Sequence, residues 1–261
     1  MNENGLAVSR VYGLDKTLNS DNPKDIMQVC VHSSCILADA MNEHRQEHAF
    51  ERGPASAVGG GLKRVFDMLF AIFAILTFLV PITVIMIALK VYSRGPIFFA
   101  HERVGLGGTR FRCLKFRTMV VDAEERLQTL LSSDEKAAAE FAQTRKLKND
   151  PRIVPYVGAW LRKSSMDELP QFFNVLVGEM SVVGPRPVTE DEIHEHYGTD
   201  HAYMRARPGI TGLWQISGRN DIDYAERVEL DEIYIKTWNF RRDLSIILRT
   251  AAVICRDRNG Y

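Results

Sequence analysis

Apolar residues are concentrated in one run, residues 69–89, which contains no charged side chain. A helix of these 21 residues would be about 31 Å long, at a rise of roughly 1.5 Å per residue, which matches the hydrocarbon core of a bilayer. Pro81 lies inside the run, where it removes a backbone donor and clashes with the preceding turn. The pattern therefore predicts a membrane-embedded helix that kinks or breaks at this proline.

Basic residues flank this run on both sides, Lys63 and Arg64 before it and Lys90 and Arg94 after it. The positive-inside tendency places the far end in the cytoplasm and mildly favours the cytoplasm for the near end. The pattern leaves two interpretations open: a simple membrane span, and a hairpin of two helices that enters and leaves one leaflet. A buried core helix is disfavoured by the length of the run.

Beyond the apolar run, hydrophobic and polar residues alternate as they do in strands. Residues 97–103 and 110–118 predict two strands, and the glycine-rich residues 105–108 between them predict a β-hairpin. The alternation slips at Leu114, which predicts a β-bulge. Residues 122–148 are rich in Ala, Glu, Leu and Lys, which predicts one or two helices.

The two ends of the chain have different patterns. Residues 1–61 contain scattered apolar residues and end in a run of glycines, which predicts a poorly ordered tail and linker. Residues 224–238 and 244–254 predict helices, with aromatic and basic residues between them that suit a membrane interface. The patterns together predict an α+β, mostly helical fold with a small β-hairpin and amphipathic surface helices.

The total charge adds little to this picture, but the charge of individual segments does. Lys plus Arg and Asp plus Glu are equal at 33 each, which argues against a general nucleic-acid binder. Residues 62–120, however, carry 9 basic and 2 acidic residues, a balance of +7. Four cysteines are too sparse for a disulfide scaffold and lack the spacing of a zinc site. The chain therefore has one strongly basic segment that adjoins its most apolar part.

Candidate chemistry begins at residues 164–170. Ser165 and Glu168 fit the capping-box pattern of a helix start, and Asp167 would then be an ordinary first-turn acid. On this stretch alone, we favour capping over catalysis. The alternative uses the same physics, because a carboxylate kept ionised at a helix start can attack phosphorus while its neighbour binds a divalent cation.

Two later loops have residues that suit phosphate. Arg186 lies between Pro185 and Pro187, which hold the backbone on both sides and present a rigid guanidinium. Residues 207–220 combine turn formers and small residues with the pair Arg219 and Asn220, and loops of this kind bind nucleotides through backbone N–H groups. Each loop is weak evidence alone, but both point to a phosphate ligand.

Several short motifs follow one another in a fixed order along residues 62–261. They are Lys63-Arg64 with Phe66-Asp67, Lys115-Phe116-Arg117-Thr118-Met119, Asp150-Pro151-Arg152, Asp167-Glu168-Leu169-Pro170-Gln171, Val183-Gly184-Pro185-Arg186-Pro187, Pro208-Gly209-Ile210-Thr211-Gly212 and Gly218-Arg219-Asn220. In these motifs the chain resembles the bacterial polyprenyl-phosphate sugar-1-phosphate transferases, and it is most similar to the short members that initiate exopolysaccharide repeat units. The resemblance does not extend to residues 1–61.

The resemblance implies a transfer of hexose-1-phosphate from a UDP-sugar to undecaprenyl phosphate, with release of UMP. Asp167 would be the nucleophile and form a sugar-phosphoryl aspartate, and Glu168 would bind Mg²⁺. Phosphate and nucleotide groups would be bound by Lys115, Arg162, Arg186, Arg219 and Asn220. Glucose and galactose are typical sugars of this branch, but no residue in the sequence decides between them.

The resemblance also implies an organisation and a location. Residues 62–95 would form a re-entrant hairpin broken at Pro81, and residues 96–261 a sugar-transferase domain facing the cytoplasm at the bacterial inner membrane. Partners would be membrane lipid and downstream glycosyltransferases, with a homo-oligomer left open and nucleic acid excluded. The family usually has Ser-Pro at the break, whereas Val80 precedes the proline here. The carbonyl freed by the proline would then need another partner, such as the hydroxyl of Thr77 or Thr83.

Two other functions remain alternatives. One is a non-enzymatic, membrane-tethered interaction protein in which the acidic pair only caps a helix. The other is a metal-dependent phosphatase that uses Asp167 as its nucleophile. The joint order of the motifs favours the transferase over both.

Overall fold

The structure is a computed structural model, and it describes residues 57–144, 147, 150–197, 202–217 and 223–256. All of these lie within one compact unit, Ala49–Tyr261. The predicted tail as far as residue 56 lies outside the described residues, and so do Arg219 and Asn220. The division of the chain into tail, hairpin and catalytic domain stays a prediction.

The apolar run forms two helices, α1 (Gly60–Thr77) and α2 (Leu79–Tyr92), which are bent by 61° with respect to each other. They meet at Phe78, three residues before Pro81, so the predicted break is confirmed but lies one turn earlier. The physical reason is that a proline ring clashes with the carbonyl four residues before it, here that of Thr77. Pro81 itself lies in the first turn of α2, where a missing N–H is tolerated.

The proline frees the carbonyl of Thr77, and the hydroxyl of Thr83 was one partner expected to bond to it. The hydroxyl of Thr83 does bond back along its helix, but it donates to the carbonyl of Leu79 at 2.9 Å rather than to that of Thr77. Within the described residues, no single helix is long and apolar enough to cross a membrane, whereas α1 and α2 together satisfy that test as a bent pair. Membrane association stays a prediction.

The predicted hairpin is formed by β1 (Phe98–Val104) and β2 (Arg110–Phe116), which pair in antiparallel register from Phe98 opposite Phe116 to Val104 opposite Arg110. A 3₁₀ turn, Leu106–Gly108, joins them. Every residue between these ends has one partner, so the predicted bulge at Leu114 is wrong. The slip in hydrophobic period arises because Cys113 and Leu114 are both buried, which means that both faces of β2 are covered at this point.

The stretch rich in Ala and Glu forms two helices, α3 (Ala123–Ser133) and α4 (Glu135–Thr144), as predicted. The elements that follow are α5 (Val157–Ser164), a 3₁₀ turn (Met166–Glu168), α6 (Gln171–Val177), β3 (Ser181–Val183), α7 (Glu190–Glu192), a π turn (Ile193–Tyr197), a 3₁₀ turn (Ala202–Arg205), β4 (Gly209–Thr211), α8 (Leu213–Ile216), α9 (Tyr224–Lys236) and α10 (Phe240–Arg256). The predicted α+β, mostly helical fold class is confirmed.

A second small sheet was absent from our prediction. Strands β3 and β4 pair in parallel, with Ser181 opposite Gly209 and Val183 opposite Thr211. The residue after β3 lies so close to the residues before β4 that a Cβ atom on Gly184 would be 2.3 Å from the carbonyl oxygen of Arg207. Glycine is therefore needed at residue 184, and the contact brings two of the sequence motifs side by side.

The hydrophobic core joins the hairpin, α6 and the C-terminal helices. Its main cluster contains Phe111 and Cys113 from β2, Val175 from α6, Tyr234 from α9 and Ile246 from α10. Burial raises the pKa of the Cys113 thiol to about 11, so this thiol stays protonated and unreactive at neutral pH. The core thus fixes β2 and α6 against each other, and the candidate site lies at their ends.

Candidate active site

The two candidate carboxylates lie in the segment that connects α5 to α6, residues 165–170, which we call the Asp167 turn. Ser165 has a left-handed backbone conformation (φ 55°), and its N–H donates to the carbonyl of Arg162 at 3.2 Å. Its hydroxyl makes no capping hydrogen bond. The favoured capping box is therefore wrong, because Ser165 ends α5 instead of beginning a helix, and α6 starts only at Gln171.

Lys115 comes from the end of β2 and lies against the Asp167 turn. Its Nζ donates to Oε1 of Glu168 at 2.6 Å, and both side chains are about one-third exposed. Burial acts to lower the pKa of Lys115, but the charge and hydrogen bond of Glu168 outweigh it, and the net pKa is raised. The ammonium is therefore charged at neutral pH and remains accessible to an anionic ligand.

Asp167 is half-buried, and within the described part of the chain its carboxylate accepts no hydrogen bond from another residue's side chain or backbone. Burial raises the pKa of Asp167 to about 6, the charge of Glu168 adds to this, and the charges of Lys115 and Arg162 oppose it. The carboxylate is thus mostly ionised at pH 7 but poorly stabilised. This is the state that a nucleophile needs.

Arg162 lies in the last turn of α5, beside the same carboxylate. Its Nε donates to Oγ1 of Thr118 at 2.9 Å, which joins α5 to the residues just after β2. The nearby Arg152 is already engaged, because it forms an ion pair with Asp150 at 2.7 Å. The structure therefore brings together four of the predicted site residues: Lys115, Arg162, Asp167 and Glu168.

Two arginines hold α6, and with it the Asp167 turn. Arg64 of α1 donates to the carbonyls of Val175 and Leu176, at 2.5 and 2.7 Å. Arg207 donates through Nε to the carbonyl of Gly178 at 2.8 Å. The carbonyl of Val175 also accepts from the N–H of Gly178 at 3.1 Å. Carbonyls in the last turn of a helix lack the usual partner four residues later, and cations are favoured there. The basic residue at the start of the apolar run thus positions the site, which the sequence alone did not indicate.

Arg186, the fifth described candidate, makes its contacts in a separate cluster. Its backbone N–H donates to both carboxylate oxygens of the buried Asp231, at 3.2 and 3.3 Å. Its guanidinium lies 3.9 Å from Oε1 of Glu192 and 6.0 Å from the ring centroid of Trp214. The two prolines are therefore not alone in fixing this loop, because a carboxylate from α9 holds it as well.

Glu192 links a further arginine to the same cluster. Its Oε2 lies 3.0 Å from Nη1 of Arg103, and it accepts from the backbone N–H of Thr189 at 2.7 Å in a capping box. Burial acts to raise the pKa of Glu192, but the hydrogen bonds and the charges of Arg103 and Arg186 lower it overall. Our sequence prediction missed Arg103, Glu192 and Asp231, although Thr189 and Glu192 at a spacing of three form a recognisable capping box.

The acidic pair fits a magnesium ion of the kind that the family resemblance implies. Among the described residues, no three histidine, cysteine, aspartate or glutamate side chains are grouped closely enough to hold a metal ion. Mg²⁺ is usually bound by one or two carboxylates together with water and substrate phosphates. Asp167 and Glu168 are such a pair, and the repulsion between them would be relieved by a cation.

Comparison with known proteins gives the family. The sequence matches the family model of the bacterial sugar transferases over residues 58–257. The chain belongs to this family. The prediction of a polyprenyl-phosphate sugar-1-phosphate transferase is confirmed at the level of the family, and the protein is an enzyme of this type.

Relatives of this sugar transferase come from several bacteria. It is 47% identical to the exopolysaccharide production protein ExoY of Rhizobium meliloti, over 81% of this chain and 93% of ExoY. It is 46% identical to the undecaprenyl-phosphate galactose phosphotransferase of Salmonella typhimurium, over 77% of this chain and 42% of that protein. It is 37% identical to the undecaprenyl-phosphate glucose phosphotransferase of Komagataeibacter xylinus, over 76% of this chain and 37% of that protein.

Proposed function

We propose that this sugar transferase moves a hexose-1-phosphate from a UDP-sugar, with glucose or galactose as the sugar, to undecaprenyl phosphate and releases UMP. The observation that carries the proposal is the Asp167 carboxylate, which is mostly ionised at pH 7, is half-buried and accepts no hydrogen bond from any other residue that the structure describes. Lys115 and Arg162 lie near it and can donate hydrogen bonds to phosphate oxygens. The names of the relatives, which include galactose and glucose phosphotransferases acting on undecaprenyl phosphate, support this chemistry.

The reaction has two displacements at one phosphorus atom. In the first, a carboxylate oxygen of Asp167 attacks the sugar-side phosphorus, and the bond to the bridging oxygen breaks, so that UMP leaves with the electron pair. The product of this step is a sugar-phosphoryl aspartate. In the second, a phosphate oxygen of undecaprenyl phosphate attacks the same phosphorus and the Asp167 carboxylate leaves. The lipid then carries a diphosphate linked to the sugar.

Electrostatics explains why the carboxylate has cationic neighbours. The nucleophile and both substrates are anionic, so their mutual repulsion must be offset before they can approach. Lys115 lies 2.6 Å from Glu168 and can move from that carboxylate to a phosphate oxygen within its own reach. Mg²⁺ bound by Glu168, with Asp167 close by, would neutralise charge on the diphosphate.

We assign the enzyme to the bacterial inner membrane, with the catalytic unit facing the cytoplasm and α1 and α2 entering one leaflet. Many large apolar side chains of this helix pair are exposed, including Leu62, Val65, Leu69, Phe73, Leu76, Leu79, Val80, Val84, Ile87 and Val91. A lipid surface would cover them, and it would place the acceptor phosphate near the basic segment. Single cysteines before residue 62 and after residue 95 should both resist labelling from the periplasm, and periplasmic access to the first would favour a span.

The product suits the first membrane step of exopolysaccharide synthesis, because a lipid-linked sugar is an acceptor for glycosyltransferases. The proposal is tested with the full chain, a panel of UDP-sugars, Mg²⁺ and undecaprenyl phosphate, with UMP as the readout. We expect UMP release that requires the lipid phosphate for multiple turnover. Release of free sugar phosphate in water without the lipid would indicate a phosphatase, and absence of UMP with every donor would refute the proposal.

A further inference from the structure

One face of the β-hairpin carries a row of groups that can bind anions. The register places Phe99 opposite Lys115 and His101 opposite Cys113. Residues directly opposite each other share a face, and residues two apart on one strand do so as well. Phe99, His101 and Arg103 therefore lie on the same face as Lys115, the lysine beside the Asp167 turn. On β2 this face also carries Phe111 and Cys113, which are buried in the main core, so a ligand would lie along β1, where Phe99 and His101 are exposed.

Arg103 leans along this face towards Lys115. Its Nη2 lies 3.1 Å from Nδ1 of His101, the residue between them in the row. On its other side, Nη1 is held by Glu192 at 3.0 Å. A guanidinium has five N–H donors, so these two contacts leave further donors that a ligand can use.

The spacing of these cations suits a diphosphate. Residues two apart on a strand are separated by about 7 Å, and Arg103 reaches back by one such step to His101. Burial lowers the pKa of His101, and the positive charges of Arg103 and Lys115 lower it further, as expected for two cations near this residue. Two adjacent phosphates of a ligand on this face would thus have one cation each, Lys115 at the Asp167 end and Arg103 at the other.

We propose that Arg103, held by Glu192, binds the nucleoside-side phosphate of the donor, while Lys115 binds the sugar-side phosphate. The inference rests on the proposed function, because it assumes a nucleoside diphosphate donor. Glu192 also lies 3.9 Å from Arg186, so one carboxylate positions two arginines at this end of the site. After attack by Asp167, the UMP that leaves remains bound to Arg103 until it is released.

The hairpin offers a matched control on its other face. Arg110 lies opposite Val104, one position out of step with Arg103, and its side chain therefore points to the opposite face. It forms an ion pair with Glu190, in the same short helix as Glu192. Arg110 thus has the same charge and the same kind of acidic partner, but it does not lie on the face of Lys115.

The test is calorimetric titration of the full chain, in detergent with Mg²⁺, with UMP and with uridine as the two ligands. Arg103→Gln should raise the Kd for UMP about tenfold or more, since charge-assisted hydrogen bonds to a phosphate are lost. Its Kd for uridine should stay within about twofold of the unmodified protein, because uridine has no phosphate. Arg110→Gln should leave both Kd values within about twofold.

A second variant keeps the inference testable if Arg103→Gln does not fold. Arg103→Lys retains the charge but loses the planar fork, so we expect a rise in the UMP Kd of about threefold, again without an effect on uridine. Equal UMP affinity in the Arg103 and Arg110 variants would overturn the inference, while UMP release by the unmodified enzyme would leave the proposed function standing. An unmodified enzyme that neither binds UMP nor consumes any UDP-sugar would overturn both.

Discussion

A lysine and two carboxylates come together in two regions of this protein. In one, Lys115 lies against the acidic pair of residues 167 and 168, between the hairpin and α6. In the other, Lys63 of α1 lies 2.7 Å from Asp243 and 3.7 Å from Asp67, and we call these three residues the α1 cluster. The residue types are the same in both, but their burial and their hydrogen bonds differ.

The α1 cluster is almost completely buried, and each of its carboxylates accepts at least two hydrogen bonds. The side chains of Lys63, Asp67 and Asp243 are 7%, 2% and 0% exposed. The donors are Ser181 Oγ and Val182 N to Asp67, and Lys63 Nζ, Tyr234 Oη and Trp238 Nε1 to Asp243. A buried charge with all its hydrogen bonds satisfied is fixed in place, so this cluster joins α1 to β3 and α10.

Around the Asp167 turn, by contrast, Lys115 and Glu168 are each about one-third exposed. No other residue in the described part of the chain donates a hydrogen bond to the Asp167 carboxylate. An ion pair at this exposure contributes little to stability, which leaves its groups available to a ligand. Burial and unused hydrogen-bonding capacity, and not the identity of the residues, therefore distinguish a site that can bind a ligand from a structural one.

The largest expected effect is that of Asp167→Asn on activity. The amide is isosteric with the carboxylate but is not a nucleophile, so UMP release should fall on the order of a thousandfold or more. Denaturant midpoints should stay close to those of the unmodified enzyme. Asp122→Asn, at an exposed ion pair with Arg126, is the control and should retain activity. Substantial UMP release by Asp167→Asn would contradict our assignment of the nucleophile.

Replacing the lysine should lower stability strongly in the α1 cluster and only slightly beside the Asp167 turn. Lys63→Met leaves two carboxylates buried without their cation, and we expect a loss of about 3–5 kcal/mol in the free energy of unfolding. Lys115→Met should cost no more than about 1 kcal/mol, because that pair is partly exposed. Chemical denaturation of both variants measures the difference. Equal losses would show that burial does not distinguish the two regions.

The pH dependence of the first displacement should report the ionisation of Asp167. Without a bound metal its pKa is raised to about 6, and Mg²⁺ beside it would lower that pKa. Only the ionised form attacks, so the rate should be near its plateau at pH 7 and should fall as the pH drops below the pKa. At one pH unit below the pKa, the rate should be reduced about tenfold. Single-turnover formation of the phosphoryl aspartate measures this, and an acidic limb with its midpoint above pH 6 would contradict the assignment of Asp167 as the titrating group.

A smaller shift is expected from Glu168→Gln. This substitution removes the negative charge next to Asp167 and releases Lys115, so the pKa of Asp167 should decrease and the acidic limb of the profile should move to lower pH. The overall rate should also fall, because the variant lacks the proposed magnesium ligand. The position of the limb, not the rate, is the measurement, and an unchanged or higher midpoint would contradict the electrostatic account.

Patterns that depend on neighbouring residues were sufficient for much of the fold. Hydrophobic periodicity predicted the β-hairpin and the helices of residues 122–148, and the steric demands of Pro81 predicted a break in the apolar run. The ordered motifs also placed Asp167, Glu168, Lys115 and Arg162 in one site, on the strength of a family resemblance. The predictions of the hairpin, the helices and the break were confirmed because backbone sterics and local burial act over only a few residues.

The predictions that failed are those in which a distant element changes the meaning of a local pattern. The slip at Leu114 indicated a bulge, but β2 is covered on both faces and pairs without interruption. The spacing of Ser165 and Glu168 indicated a capping box, but Ser165 ends α5. Neither pattern contains any information about what packs against it.

The sequence was thus enough to establish the kind of chain and its reactive residue types, through the proline, the hydrophobic periods and the order of motifs. Tertiary structure alone decided that Lys115 is partly exposed beside its carboxylates whereas Lys63 is buried between its own, since only the packing sets which charged groups are removed from water. It also brought Arg103, Glu192 and Arg186 together from three separate segments. The physical reason is that solvent exposure and long-range pairing depend on the whole chain, and no short pattern determines them.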